Sequence, residues 1–221
     1  MKTHSITRAL GALTLVAGLA GCSDSLNVEG TGAARVLLNR AADGSTFPAP
    51  QGAPGATRSV SPDTVQSLTV TVTAVEFFHA ATDTSGSGWT SLQFNAPVQV
   101  NLMALSTNSD SAFVLAMGRA AAGAYSKVRL VVTNPKIRFD GAISFGTIGT
   151  VQGNTDYAIQ LGTSGSTTIE VNLSLLLSLG ISGSGNETSD VHLEFAAASS
   201  LSSVTMTSSG SLQMSAVFAE Q

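Results

Sequence analysis

An all-β domain, built as an antiparallel β-sandwich, is the fold this sequence predicts, and three observations predict it. Charged residues make up only 11% of the 221 residues, although apolar content is an ordinary 43%. Amphipathic helices need charge on their exposed faces, and this chain has little to supply. Serine and threonine fill the polar positions instead, and 22 glycines punctuate the chain, which suits short strands and turns. Finally, the apolar residues recur with a period of two in short segments separated by polar turns, the pattern of a sandwich.

In chain order, Lys2 and Arg8 form a short basic n-region, followed by an apolar run from Ala9 to Ala20. That run is too short for a span of about 20 residues and has the layout of a secretory leader. It ends in Leu19-Ala20-Gly21-Cys22, which resembles a bacterial lipobox and contains the only cysteine of the chain. The resemblance implies cleavage before Cys22, diacylation of its thiol and acylation of the new amine. More than one acyl chain matters, because a single chain holds a protein only marginally to a bilayer. Residues 1–21 are thus expected to be a lipoprotein signal peptide, and 22–32, polar and Gly-containing, a flexible tether. Ser23 stands where an Asp would signal inner-membrane retention, so the expected location is the outer membrane.

Residues 33–221 are read as a single β-sandwich domain, long enough to bury about 70% of its unfolded surface. The first strand is 33–39. Pro48, Pro50, Pro54 and Pro62 then interrupt 42–64; they cannot donate to a ladder, so that stretch is a Pro/Gly-rich loop. Gln66 to His79 is the clearest strand: Leu68, Val70 and Val72 alternate with Thr69, Thr71 and Thr73, and the phase slips at Ala74-Val75 as a β-bulge would make it. Trp89–Phe94, Pro97–Leu105 and Ala112–Met117 follow as short strands. Ala124 to Thr133 turns Val128, Leu130 and Val132 inward and Lys127, Arg129 and Val131 outward; Asn134-Pro135 is expected to break it before Lys136–Phe139. Further strands are expected at 143–151, 157–161, 167–177, 191–196, 203–207 and 212–218. The leucines at 173–179 admit a helix, but strict alternation with Asn172 and Ser174 favours a strand. The arrangement expected is Ig-like or transthyretin-like.

Several segments, VTVTAVEFFH (70–79), GWTSL (88–92), VNLMAL (100–105), AGAYSKVRLVV (122–132), FDG (139–141) and HLEFAAASSL (192–201), together resemble the domain-of-unknown-function 4382 family. That resemblance runs from about Arg35 to the end and implies a lipid-anchored or secreted bacterial β-domain; the family supplies no agreed activity. The chain departs from the family's pattern at Ala122, where a proline is frequent, at Asn101 and at Ala196, where acids are frequent.

Charge and residue supply narrow the function. The leader carries two of the 10 basic residues and no acid, leaving 8 against 14 acidic ones, a net of −6. Nucleic acid needs a dense basic footprint and is excluded. With Cys22 acylated, disulfides and thiolate metal sites are excluded. His192-Leu193-Glu194 matches H-x-E, yet the P-C-x-x-C of zinc deaminases is missing. Asp190, His192 and Glu194 project from one strand face and are weak metal candidates, against the plainer reading of a solvated face.

Lys127, Arg129, Lys136 and Arg138 hold half of the mature cations within twelve residues. If Asn134-Pro135 closes a hairpin, they form one patch able to hold anionic glycan or lipid headgroups; otherwise they are sheet-face charge that discourages edge pairing. No G-x-S-x-G is present. Glu76 and His79 near one strand end, and Trp89, Tyr125 and Tyr157 as a sugar platform, are the remaining constellations, the latter set against a role in the core.

The expectation is a lipid-anchored protein of the bacterial cell envelope that acts as a non-catalytic interaction module. It would meet the membrane through Cys22 and bind a glycan or an envelope protein partner, with no cofactor, metal or catalytic residue assigned. A carboxylate-dependent envelope hydrolase and a purely structural envelope lipoprotein are the alternatives.

Overall fold

Alternation decides where each strand points. In the computed structural model, which describes residues 31–42, 56–57, 60–79, 88–92, 94–95, 97–162, 168–179 and 188–221, the first strands are β1 (Thr31–Arg40), β2 (Ala56–Thr57), β3 (Val65–His79), β4 (Trp89–Ser91) and β5 (Val98–Asn101). Then come β6 (Phe113–Ala121), β7 (Gly123–Phe139), β8 (Ile143–Ser144), β9 (Thr150–Val151) and β10 (Asp156–Leu161). The chain ends with β11 (Thr168–Leu179), β12 (Thr188–Phe195), a short helix α1 (Ala197–Ser202), β13 (Thr205–Met206), β14 (Leu212–Met214) and β15 (Phe218–Glu220). Single 3₁₀ turns occupy Pro62–Thr64, Leu102–Ala104 and Ser109–Ser111.

These strands form an all-β sandwich. The smaller sheet has the order β15-β12-β1-β6, and the larger runs β2-β13-β14-β10-β7-β3-β4, with β11 also on β7 and β5 also on β3. One buried cluster joins them: Val36, Leu38, Leu193 and Phe195 from the smaller sheet meet Val72, Phe77, Val128 and Leu130 from the larger. Most pairings of the sandwich are antiparallel as expected, but β1–β12 and β10–β14 are parallel. Parallel neighbours require long connections, and β1, first in the chain, is inserted between β6 and β12, far apart in sequence.

The central pair is β3 with β7. In β3, Leu68, Val70, Val72, Val75 and Phe77 are all buried. The phase slip falls on a bulge at Thr73, where Val72 pairs with Val132 but Ala74 with Val131. In β7 the expected break at Asn134-Pro135 does not occur, and no hairpin forms there. Asn134 takes a left-handed conformation, φ 49°, which asparagine tolerates. Thr133 pairs with Thr71 and Lys136 with Thr69, so Asn134 and Pro135 together oppose one residue of β3. A proline inside a sheet is tolerated at such a bulge.

Other expectations change as well: the strand expected at 143–151 is a short hairpin of β8 and β9, and the one expected at 212–218 is divided into β14 and β15. The strand expected at 203–207 is preceded by α1, and the loop at 42–64 contains β2 and a 3₁₀ turn. Ser200 of α1 and Ser203, the residue that caps its C-terminus, hold backbone N–H groups of the chain that follows. Ser200 Oγ accepts from Val217 N at 2.8 Å, and Ser203 Oγ accepts from Ser215 N at 2.9 Å while donating to Ser200 O at 2.6 Å. Residues 1–21, Cys22 and the tether up to residue 30 lie outside the described residues; Thr31 and Gly32, expected in the tether, are already in β1.

Candidate interaction face

The outward side chains of the larger sheet are brought together by the β3–β7 register. Because β7 is one continuous strand, Lys127, Arg129, Lys136 and Arg138 lie in line along it as two pairs on either side of the bulge, not as a compact patch. Each pair meets different neighbours.

Around Arg129, cross-strand positions converge from four strands. Glu76 of β3 lies opposite it on one side and Glu170 of β11 on the other. Arg129 Nε donates to Glu76 Oε2, and Ser91 Oγ of β4 donates to Glu76 Oε1 at 3.2 Å. The guanidinium also stacks on Trp89, 4.2 Å from its ring centroid. One row along, Trp89 meets the edge of Phe78 with centroids 5.2 Å apart, and Lys127 Nζ lies 5.7 Å from the Phe78 centroid. Cation–aromatic contacts at these distances fix the rings as well as the cations.

At the other end, Arg138 Nε donates to Asp156 Oδ1 at 2.6 Å. That hydrogen bond, with the charges of Arg138 and Lys136 behind it, holds the Asp156 carboxyl below the usual carboxylate range against the opposing effect of desolvation. Four cations and three carboxylates (Glu76, Glu170 and Asp156) leave this face with a net charge of only +1. Between the two ends stand Thr69, Thr71, Thr73 and Thr133. The face is therefore a polar sheet surface with one cation–aromatic shelf.

The other sequence candidates are placed apart from it. Asp190 and Arg35 are neighbours in the β1–β12 register and form a two-pronged ion pair, 2.9 and 2.5 Å. Arg35 thereby lowers the Asp190 pKa, mainly through hydrogen bonding. His192 and Glu194 share that strand face, but among the described residues no group of three His, Cys, Asp or Glu is placed to hold a metal ion. Glu76 and His79 do not converge. Glu76 is held by Arg129, whereas the His79 ring lies over Gly123 and against Tyr125, centroids 4.5 Å apart.

The three aromatics do not form a platform, and Tyr125 takes the core role that was set against it. Tyr125 is fully buried, donates to Ala121 O at 2.5 Å, and has its phenol pKa raised by burial. Tyr157 accepts from Gln152 N at 2.7 Å near the far end of β7. Trp89 alone keeps an outward position, and its partner Phe78 was not singled out in the sequence. The signal for Phe78 was available: past the slip at Ala74, Glu76 and Phe78 share the outward phase.

Among the described residues, two cavities bordering the sheets can be traced. One, of about 530 Å³, opens where β10 parts from β7 at the bulge and is lined by Asn134, Lys136, Tyr157, Gln160 and Ser211. The other, about 520 Å³, lies between β5 and the start of β6 and includes Val100, Leu105, Phe113 and Val114. Neither is lined by a carboxylate. Among the described residues, no helix is long and apolar enough to cross a membrane.

Residues 59–215 match the family model described as a domain of unknown function, DUF4382. The match spans more than half of the chain, which belongs to this family. β1, β2 and β15 lie outside the matched stretch, although β1 is an inner strand of the smaller sheet. No curated protein and no solved structure matches the chain.

Proposed function

We propose that this member of the DUF4382 family is a lipid-anchored protein of the bacterial cell envelope, held at the outer membrane through an acylated Cys22. Its β-sandwich acts there as a non-catalytic module that binds a glycan. The observation that carries the binding reading is the outer face of the larger sheet. It is rich in hydroxyl groups, and it holds Trp89 and Phe78 in place with Arg129 and Lys127. Sugars are bound by hydroxyl-matching polar groups together with an aromatic surface that packs against ring C–H groups, and this face offers both. Its near-neutral charge fits an uncharged or weakly anionic glycan better than a strongly anionic one.

The test has two arms. Mass spectrometry of the membrane-extracted protein should find a diacylated Cys22 at the N-terminus of the mature chain, with Cys22→Ala moving the protein out of the membrane fraction. An unmodified Cys22 would remove the anchor. For binding, the detergent-solubilised protein is put on a glycan array, and the best hit is titrated against wild type, Trp89→Ala and Asp190→Ala. Trp89→Ala should weaken binding about tenfold or more, in line with the energy of an aromatic contact, and Asp190→Ala should leave it unchanged. Array signals no higher than background, or equal affinity for Trp89→Ala, would count against a glycan role for this face.

A further inference from the structure

Among the described residues, three large apolar side chains stand exposed: Phe113 at 39%, Val114 at 48% and Met117 at 67%. All three belong to β6, the terminal strand of the smaller sheet in the described order. A bulge at Leu115 produces this arrangement. Val36 pairs with Ala116 but Leu37 with Val114, so Leu115 and Ala116 are buried in succession while the residues on either side turn out. Exposed apolar groups on an edge strand are normally avoided, and a cluster of them marks a surface with a partner.

The partner is indicated by where the anchor enters the fold. Only eight residues separate Cys22 from Thr31, the first residue of β1. Fully extended, that connection reaches about 30 Å at most. β1 is the neighbour of β6: Thr31 lies opposite Ala121, and Arg35 opposite Met117. Met117 is thus roughly 13 Å, and Phe113 roughly 25 Å, from the point where the tether joins the domain. A second copy of the chain is a poorer fit. Even if each had the ~150–250 Å² of an aromatic side chain, the three would expose on the order of 300 Å², well short of the ~800 Å² per partner of a standard interface. A membrane contact needs no such area, because the anchor already makes the encounter intramolecular.

We infer that Phe113, Val114 and Met117 form a membrane-contact edge, which rests the sandwich on the lipid surface that holds its own anchor. The inference builds on acylation of Cys22 as proposed above. The ligand is the interfacial layer of a phospholipid bilayer, entered shallowly by apolar side chains. The domain then lies with its β6 edge on the membrane and both sheet faces turned sideways.

The experiment uses the full chain processed with its own leader. Cys22 is the only native cysteine and is blocked by acylation, so Met117→Cys or Val114→Cys introduces the sole free thiol. Thr73→Cys, on the outer face of the larger sheet, is the reference. Each is labelled with an environment-sensitive fluorophore and reconstituted into vesicles of phosphatidylethanolamine and phosphatidylglycerol, with and without spin-labelled lipid. The expected result is blue-shifted emission at positions 117 and 114, quenched by the spin-labelled lipid several-fold more than at position 73. Equal quenching at all three positions, in protein that floats with the vesicles, overturns the membrane contact alone. Protein that fails to float overturns the anchor, and this inference falls with it. Shielding that persists in detergent, rises with protein concentration and accompanies crosslinking between two position-117 thiols assigns the edge to a second copy, and overturns the inference as well.

Discussion

Replacing Ser203 by alanine removes one oxygen and strands a hydrogen-bond donor. Ser203 is 5% exposed, its Oγ accepts from Ser215 N at 2.9 Å, and its proton goes to Ser200 O at 2.6 Å. Ser200 O keeps a second donor, Ser203 N at 3.1 Å, so the loss on that side is small. The cost therefore falls on the Ser215 N–H, a partly buried backbone donor left without its partner, at about 1–3 kcal/mol. Because Ser215 is not fully buried and water can approach it, the lower half of that range, about 1.5 kcal/mol, is the expectation. With a urea m-value of about 2–3 kcal/mol/M, the midpoint should fall by roughly 0.5–0.8 M at unchanged m. Ser202→Ala is the control: its exposed hydroxyl bonds only Ser199 O within α1 and should move the midpoint by less than about 0.2 M. Equal midpoints for Ser203→Ala and Ser202→Ala would refute the view that α1 fastens the C-terminal strands.

Three other perturbations address separate parts of the fold. Gly123→Ala places a methyl 2.2 Å from Cε1 of His79, and displacing that ring should cost about 1–3 kcal/mol in thermal unfolding; His79→Ala should relieve most of the penalty in the double variant, and additive losses would refute the clash. Thr205 is fully buried with an Oγ1 that makes no hydrogen bond, so Thr205→Val should stabilise the protein by about 1 kcal/mol in urea unfolding, and destabilisation would show that the hydroxyl has a partner. Asp190 has a folded pKa depressed by Arg35, so its ion pair adds stability above the ordinary carboxylate pKa, and that contribution is lost as pH falls through the lower folded value. The stability gap between wild type and Asp190→Asn should be constant near neutrality and close only in that acid range; a gap that persists at lower pH would mean that the pair is not its source.

Much of the fold was legible because period-two alternation survives even where the chain departs from ideal pairing. Val72 and Val75 are three apart, an odd separation that would send them to opposite faces of a regular strand. The bulge at Thr73 restores both to the core, and the slip in the sequence was its signature. Val132 and Ile137 are also an odd number apart, and Asn134-Pro135 supplies the same correction in β7. Local rules read that pair as a stop, since proline has no N–H and asparagine favours left-handed turns; burial of both flanking segments in one core overrides them. What local pattern could not supply is long-range pairing: β1 beside β12, or α1 behind a run of serines that reads as turn. The candidate face divides in the same way. Its four cations were visible in the sequence, but Glu76, which engages Arg129, stands 53 residues away, and only the register between strands brings the two together.

That register also determines how the face should respond to salt. Four cations in twelve residues read as an electrostatic patch, whose binding would weaken steeply as ionic strength rises. In the fold, Arg129 is paired with Glu76 and faces Glu170 across the sheet, and Arg138 is paired with Asp156. Lys127 leans over Phe78, and Lys136 sits some 30 Å further along β7 by the rise of a strand. Among these four, no two cations without a carboxylate partner are therefore close enough to grip one anionic group together. Glycan affinity at this face should change less than about twofold between about 0.1 M and about 1 M salt, because over that range the Debye length is about 10 Å or less and charges further apart act separately. Titrations at the two ionic strengths distinguish the cases. A tenfold or greater fall would mean that the carboxylates release their arginines to the ligand, and the aromatic shelf would lose its place as the source of binding.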